Sequence, residues 1–203
     1  MSLELQELVC VRGERTLFSG LTISLQAGDL LLLRGSNGAG KSSLLRIVAT
    51  LLAPAGGKVL WDGVNVAEDP EAQRRRLRYV GHLDGLKTAL TVQENLLSGA
   101  RIMGSDRHNV GPAMEALGVG SLRHLPVRYL SSGQKRRTAL ARLAMSPAPL
   151  WLLDEPTVGL DDAGIEQVCR LIERHRSGGG IVIAATHVEL GLSNARGLRL
   201  GRT

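Results

Sequence analysis

The sequence has very few aromatic residues and only two cysteines. Two tryptophans, two tyrosines and one phenylalanine make up 2% of the 203 residues, which leaves few side chains on which single-stranded nucleic-acid bases could stack. Cys10 and Cys169 stand alone, without metal-binding spacing. We therefore expect ordinary reduced thiols in a cytoplasmic protein.

Long apolar runs and a secretory leader are also missing. No stretch approaches the roughly 20 apolar residues needed to cross a bilayer, and the first four residues include Glu4 instead of forming a basic, apolar leader. Hydrophobic residues make up 43% of the chain and charged residues 22%, a composition typical of soluble globular proteins. We expect one compact domain with a sizeable core.

The chain is basic, with 25 lysines and arginines against 19 acidic residues and a net charge of +6. This balance raises nucleic-acid binding as a possibility, but the shortage of aromatics argues against it, so we expect no nucleic-acid partner. The densest cluster, in residues 74–78, follows the helix-start signals Asp69 and Pro70. It is either a solvated helix face or a contact for anionic lipid head groups.

Strand and helix patterns alternate along much of the chain. We predict strands over residues 3–11, 21–25, 30–33, 58–61, 64–66, 150–154, 181–186 and 198–200, with 58–66 as a hairpin. We predict helices over 42–52, over 161–177 and through much of 91–135, where Thr91 and Glu94 form a capping box. This alternation indicates an α/β protein with a parallel sheet covered on both faces.

A glycine-rich loop stands between an apolar strand and a helix. Its glycines let the backbone N–H groups wrap around phosphates at the start of the helix. Lys41 brings a charge to the β and γ phosphates, and the Ser42 hydroxyl can ligate Mg²⁺. The pattern predicts a nucleoside triphosphate site formed by Gly35, Ser36, Asn37, Gly38, Ala39, Gly40, Lys41, Ser42 and Ser43.

Two carboxylates follow the apolar strand at residues 150–153. At such a strand end, Asp154 can hold Mg²⁺ through water, and Glu155 can polarise an attacking water molecule. The alternative is an ordinary acidic strand end, but the phosphate loop upstream favours the catalytic interpretation.

Another anion site is indicated by the segment Leu130-Ser131-Ser132-Gly133-Gln134, which begins a helix that continues to about Met145. Ser131 suits a helix N-cap. The helix N-terminus is also suited to bind an anion, while the chain's own nucleotide is already bound elsewhere. Further along, Gly159-Leu160-Asp161 precedes a helix, and His187 follows the strand over 181–186.

Along the chain, the segments follow one another as 35–42, 130–134, 150–156, 159–161 and 186–187. In this chain order, the five segments resemble the ATP-binding-cassette (ABC) ATPases. The resemblance implies a P-loop NTPase fold with a parallel core sheet, an N-terminal antiparallel β lobe and an inserted helical lobe. It implies one ATPase domain over residues 1–203. The nucleotide-binding core would comprise residues 1–85 and 147–203, and the helical lobe would span about 86–146.

The same resemblance implies the roles of individual residues. Glu155 and His187 would be catalytic, with His187 contacting the γ-phosphate. Two copies of the chain would clamp ATP between them, and Asp161 would lie at their interface. The cross-dimer contact to the partner's γ-phosphate would come from Ser131, Gly133 and Gln134. Ser132 replaces the first glycine usual in the family, a change from one small residue to another.

Two positions depart from the family pattern. Leu83 stands near the place of a glutamine that contacts Mg²⁺ in the family, and leucine cannot ligate a cation, so His82 and Asp84 are the candidate substitutes. Arg12 stands near the place of an aromatic residue that stacks on adenine. A guanidinium plane can also stack on a base, so Arg12 is either the adenine platform or an exposed surface charge.

Local strings narrow the resemblance to the ATP-binding subunit of the cytochrome c maturation (heme exporter) system of Gram-negative bacteria. They lie at residues 15–21, 35–41, 59–63, 79–87 and 179–183, and the similarity covers roughly residues 3–200. It implies a peripheral protein on the cytoplasmic face of the inner membrane, working with integral membrane permease subunits. ATP hydrolysis, with Mg²⁺, would drive heme export or the release of a heme-loaded chaperone.

Two alternatives stay open at this point. One is the ATPase subunit of another ABC transporter, for drugs or lipoproteins. The other is a soluble ABC ATPase of iron–sulfur scaffold assembly, without a membrane partner.

Overall fold

The computed structural model describes residues 1–201, which form two compact units. The first unit contains residues 1–81, 148–154 and those from 175 onward, and the second contains 82–147 and 155–174. Each unit is therefore assembled from segments that are distant in the sequence.

The first unit contains two sheets and two short helices. Its elements are β1 (Ser2–Arg12), β2 (Arg15–Gln26), β3 (Leu30–Arg34), α1 (Lys41–Val48), β4 (Gly56–Trp61), β5 (Val64–Asn65), α2 (Pro70–Arg76), β6 (Leu77–Val80), β7 (Leu150–Asp154), β8 (Ile181–Ala185) and β9 (Ala195–Arg199). An antiparallel sheet has the order β2-β1-β4-β5, and a parallel sheet has the order β6-β7-β8-β3-β9. The predictions of a parallel core sheet and an N-terminal antiparallel lobe are confirmed.

The core of the first unit is a single cluster of buried aliphatic side chains. β7 and β8 are buried along their whole length, as is β3 up to its last residue. Such continuous apolar strands are expected in a parallel sheet, where both faces are covered. Leu44, Leu45 and Val48 of α1 join the cluster, while Arg46 points to solvent. The core therefore fixes the carboxyl ends of the central strands, where the candidate site lies.

The second unit is helical. It contains α3 (Val92–Met103), α4 (Val110–Ala116), α5 (Ser132–Met145) and most of α6 (Asp162–Ser177), whose end belongs to the first unit. The predicted capping box of α3 is confirmed: Thr91 Oγ1 accepts from Glu94 N at 3.2 Å, and Glu94 Oε2 accepts from Thr91 N at 2.8 Å. Within residues 1–201, no helix combines the length and apolarity that a membrane span requires.

Several element boundaries differ from the prediction. α1 ends at Val48 and not near Leu52, because Thr50 adopts a left-handed backbone (φ 56°) that cannot continue the helix. β6 was not predicted, and the last strand covers Ala195–Arg199, not 198–200. The start of α2 is as predicted, with the Asp69 carboxylate accepting from Ala72 N at 2.9 Å.

Candidate active site

The loop over residues 35–40 connects β3 to α1 and depends on glycine at both of its ends. Gly35 has φ 140° and Gly40 has φ 102°, conformations that side chains rarely adopt. A Cβ at Gly35 would collide with the Leu200 carbonyl oxygen, and one at Gly40 would lie 3.1 Å from the Phe18 ring. Phe18, the one phenylalanine of the chain, thus packs directly on the loop, a contact that the sequence did not indicate.

The N-terminus of α1 is open to an anion. Its N-cap residue, Gly40, has no side chain to occupy the first N–H groups, and no acidic residue stands in the first turn. These N–H groups and the helix dipole favour negative charge at this point. Ser42 and Ser43 lie in the same turn, and Ser43 forms a hydrogen bond with Cys10, whose pKa is raised by burial.

Lys41 is the cation of this loop. It is only 7% exposed, and its Nζ donates to Gly35 O at 2.7 Å and to Ser36 O at 3.2 Å. The same Nζ lies 3.2 Å from His187 Nε2. The structure therefore brings the predicted phosphate loop, its lysine and the predicted histidine together within the first unit.

The register of the parallel sheet places Asp154 at the same edge. Asp154 pairs with Ala185 across β7 and β8, and Leu33 of β3 pairs with the same Ala185. Neighbouring strands are about 4.8 Å apart, so the carboxylate lies roughly two strand spacings from the loop. Asp154 is 3% exposed. Burial, and to a smaller extent the charge of Asp154, raises the pKa of nearby Tyr79, while a hydrogen bond with Arg46 opposes this.

A cavity of about 660 Å³ opens beside the phosphate loop. It is lined by Arg34, Gly35, Ser36, Thr186, His187, Gly197, Leu198 and Arg199. Arg34 forms an ion pair with Glu189 at 3.2 Å, while Arg199 adds positive charge to a site that already holds Lys41, as expected for a polyanionic ligand.

Oxygen atoms suited to Mg²⁺ come from both sides of this site. The Ser42 hydroxyl and the Asp154 carboxylate are hard ligands, and Mg²⁺ typically takes only one or two protein ligands besides water and substrate phosphates. Within the described residues, no three or more histidine, cysteine, aspartate or glutamate side chains form a metal-binding group of their own. The residues present fit a magnesium ion that arrives with a nucleotide.

Glu155 belongs to the second unit and has an unusual backbone. Its φ of 51° is left-handed, which is uncommon for a residue with a side chain. Arg136, 5% exposed, donates from Nη2 to Glu155 O at 2.9 Å and from Nε to Pro156 O at 3.4 Å. The backbone of the predicted catalytic glutamate is therefore held by a buried arginine that sequence reasoning did not select.

The same arginine binds one of the residues near the missing glutamine. Arg136 Nη1 lies 3.0 Å from Asp84 Oδ1, and Arg142 donates to the Asp84 and Gly85 carbonyls at 3.2 and 2.9 Å. Leu83 is 85% exposed. Of the two candidate substitutes, His82 is exposed and Asp84 is engaged by Arg136.

The helix start at residues 131–134 is a complete capping box. Ser131 Oγ accepts from Gln134 N at 3.2 Å, and Gln134 Oε1 accepts from Ser131 N at 2.9 Å. The helix packs closely on the segment that follows Glu155, because a Cβ at Gly133 would lie 2.6 Å from Gly159 O. The Asp161 carboxylate accepts from Gly164 N at 2.9 Å in the first turn of α6.

The charge of Arg12 acts on Cys10, the hydrogen-bond partner of Ser43, and slightly opposes the raised pKa of that thiol. Arg12 is exposed at the end of β1 and pairs with Arg15 across the β1–β2 hairpin. Its predicted contact with adenine stays a prediction.

Comparison with known proteins gives related sequences and structures. The family described as ABC transporter matches residues 18–158. The chain is 50% identical over 195 residues to the cytochrome c biogenesis ATP-binding export protein CcmA of Rhodospirillum rubrum, covering 96% of this chain and 84% of that protein. The protein of the same name from Chelativorans sp. strain BNC1 is 46% identical over 202 residues, covering 99% and 98%. A solved structure of a putative ABC transporter ATP-binding protein from Pyrococcus furiosus matches with a TM-score of 0.86 at 24% identity, over 98% of each chain, which is a likeness of fold.

Proposed function

Because the chain belongs to the ABC transporter family, we propose that it is the ATP-hydrolysing subunit of an inner-membrane complex for c-type cytochrome biogenesis. The main support is 46–50% sequence identity, over nearly the whole chain, to two relatives named cytochrome c biogenesis ATP-binding export protein CcmA. ATP hydrolysis would drive heme export or the release of a heme-loaded chaperone.

The phosphate loop and Lys41 bind the triphosphate in this proposal. The open N-terminus of α1 supports it, as does the buried ammonium at the mouth of the loop. Ser42 and Asp154 would hold Mg²⁺, which would neutralise charge on the phosphates. Arg12 would supply the adenine platform.

Hydrolysis requires a residue that polarises the attacking water. We assign this role to Glu155, which directly follows Asp154 at the end of β7, and assign to His187 the contact with the γ-phosphate. The 3.2 Å contact between Lys41 Nζ and His187 Nε2 supports the second assignment, because it puts the imidazole beside the group that binds the phosphates.

A second copy of the chain completes the site. Ser131, Gly133 and Gln134 lie at the N-terminus of α5, where backbone N–H groups favour an anion, and would contact the γ-phosphate held by the partner copy. In this arrangement the chain forms one ATPase domain, with residues of about 86–146 as its helical lobe. The dimer would sit on integral permease subunits, at the cytoplasmic face of the inner membrane.

Deletion of the protein tests the proposed process. We expect covalent heme attachment to c-type cytochromes to fail, because the complex would lose its source of energy. Heme staining of membrane proteins after electrophoresis measures this. The wild-type chain should restore attachment and Glu155→Gln should not, whereas Glu14→Gln, at an exposed hairpin glutamate, should behave as wild type. Normal heme attachment in the deletion strain would refute the process.

Washed membranes test the proposed location. We expect the chain to stay with the membrane when its permease partner is present. Recovery entirely in the soluble fraction, with that partner present, would favour a scaffold-assembly ATPase instead.

A further inference from the structure

We propose that Arg136 is a positioning residue for ATP hydrolysis, which aims Glu155 and connects it to the segment of residues 82–90. The inference rests on the proposed role of Glu155. The segment of residues 82–90 contains Leu83 in place of the glutamine usual in the family. Through Arg136, this segment would act on Glu155, the residue that activates water.

Arg136, on α5, is placed to hold two other chain segments at once. Its planar fork reaches the Asp84 carboxylate at 3.0 Å, Glu155 O at 2.9 Å and Pro156 O at 3.4 Å. A guanidinium presents its donors in a fixed geometry, so these contacts constrain one another. Because the side chain is buried, water does not compete strongly for its donors.

The contacts fall on a residue whose backbone conformation needs support. Glu155 is held at φ 51°, and a strained backbone persists only where its surroundings determine it. Glu155 O accepts from Arg136 Nη2 and also from Val158 N at 3.3 Å. Fixing this peptide fixes the direction in which the Glu155 side chain leaves the backbone.

Asp84 makes the arrangement responsive to its own segment. Its carboxylate is bound to Arg136, and Arg142 anchors the Asp84 and Gly85 carbonyls. A movement of this segment would therefore pull on Arg136, and through it on the Glu155 peptide. Leu83 cannot contact a metal ion, so the segment would influence hydrolysis through the Asp84–Arg136 ion pair and the hydrogen bond from Arg136 to the Glu155 backbone oxygen.

Steady-state kinetics of Arg136 variants test the proposal. We expect Arg136→Met to lower kcat about 10- to 100-fold, the range in which small misplacements of a catalytic group act, with unchanged affinity for a fluorescent ATP analogue. Arg136→Lys keeps a positive charge beside Asp84 but loses the planar guanidinium that donates several hydrogen bonds at once, so we expect a kcat between those of the wild type and Arg136→Met. Arg170→Met, which removes an exposed arginine that pairs with Glu166, should match the wild type.

A double variant separates positioning from a merely structural role. If Arg136 acts through Glu155, Arg136→Met should not reduce the residual kcat of Glu155→Gln any further. Multiplicative losses would overturn the proposal, as would a wild-type kcat in Arg136→Met. Should Arg136→Met fail to fold, Arg136→Lys and Asp84→Asn decide: both must lower kcat without weakening ATP binding.

The outcomes also distinguish the proposed role of Glu155 from the positioning role of Arg136. Full hydrolysis by Glu155→Gln would remove the proposed role of Glu155, whatever Arg136 does. Loss of hydrolysis in Glu155→Gln, with normal rates in Arg136→Lys and Asp84→Asn, would leave the proposed function standing and refute the positioning role alone.

Discussion

Lys41 is a buried cation that contacts the Gly35 and Ser36 carbonyls and the imidazole of His187. Among residues 1–201 it forms no salt bridge, so its charge is not neutralised by a carboxylate. A buried charge without a counter-charge is unfavourable, and an anion that reaches it is bound strongly. At the residue scale, the Lys41 ammonium therefore favours the binding of a phosphate group.

We predict that Lys41→Ala abolishes tight ATP binding, because the phosphates lose their nearest positive charge. Titration with a fluorescent ATP analogue measures the affinity. Lys58→Ala, at an exposed position in β4, is the matched control and should bind as the wild type does. Micromolar affinity retained in Lys41→Ala would contradict the assignment of the phosphate loop.

At the scale of elements, the end of α6 is fixed to β7 by two stacked rings. The Trp151 and His175 ring centroids are 3.8 Å apart, with an interplanar angle of 3°. Gly180 allows this approach, since a Cβ there would collide with the His175 ring. Burial lowers the pKa of His175 to about 4, although a hydrogen bond with the Ile181 backbone partly opposes the shift.

We predict that the stability of the fold decreases as the pH falls from about 6.5 to about 4. In this pH window His175 binds a proton in the unfolded chain, where its pKa is ordinary, but not in the folded chain, where its pKa is about 4. The contribution of His175 is fully present above pH 6.5 and is lost as the pH approaches 4. One proton sets a limit of about 1.4 kcal/mol per pH unit, and partial solvent access makes the slope smaller.

Urea unfolding at pH 7.5 and at pH 5.0 checks this prediction. His175→Gln cannot titrate, so its unfolding free energy should change less between the two pH values than that of the wild type. His124→Gln, at an exposed histidine, should keep the wild-type difference. Equal pH dependence in the wild type and His175→Gln would show that the histidine titrates normally.

Elements with local signals were predicted well from the sequence. The phosphate loop, the start of α2 and the capping box of α3 depend on residues close in sequence, and each is found where expected. β6 was missed because its residues, Leu77–Val80, include an arginine and become a strand through pairing with β7, which is 70 residues away. β9 was predicted only in part, over residues 198–200, because its polar first residues become a strand through pairing with β3.

The residues of the candidate site also fall into two groups, those marked by local sequence patterns and those that depend on distant residues. Lys41 lies at the end of a glycine-rich loop, where a helix begins, and Glu155 follows an apolar strand and an aspartate. Both local patterns are typical of nucleotide-hydrolysing sites, so these residues could be predicted from the sequence. Arg136 stands beside Lys135 and Arg137, and nothing in that run marks which basic residue is buried. Its role depends on Asp84 and Glu155, which are 52 and 19 residues away. Only the folded chain brings these groups together.

At the scale of the whole molecule, the proposed catalytic parts are distributed between two units. The phosphate loop, Asp154 and His187 belong to the first, while Glu155 and the helix start at residues 131–134 belong to the second. If each helix start serves the nucleotide of a partner copy, ATP becomes part of the dimer interface. Hydrolysis would then remove the γ-phosphate that joins the two copies and allow them to separate.

We predict that Glu155→Gln accumulates as an ATP-bound dimer, because binding survives while water activation is lost. Gel filtration with ATP should show the dimer, and gel filtration without ATP should show the monomer. Ser132→Glu in the same background should restore the monomer. Its carboxylate suits the first turn of α5, so the helix stays folded, but it repels the γ-phosphate of the partner's ATP. Ser132→Gly, which restores the residue usual in the family, should leave the dimer intact. A Glu155→Gln chain that binds ATP and stays monomeric would mean that each copy hydrolyses its nucleotide alone.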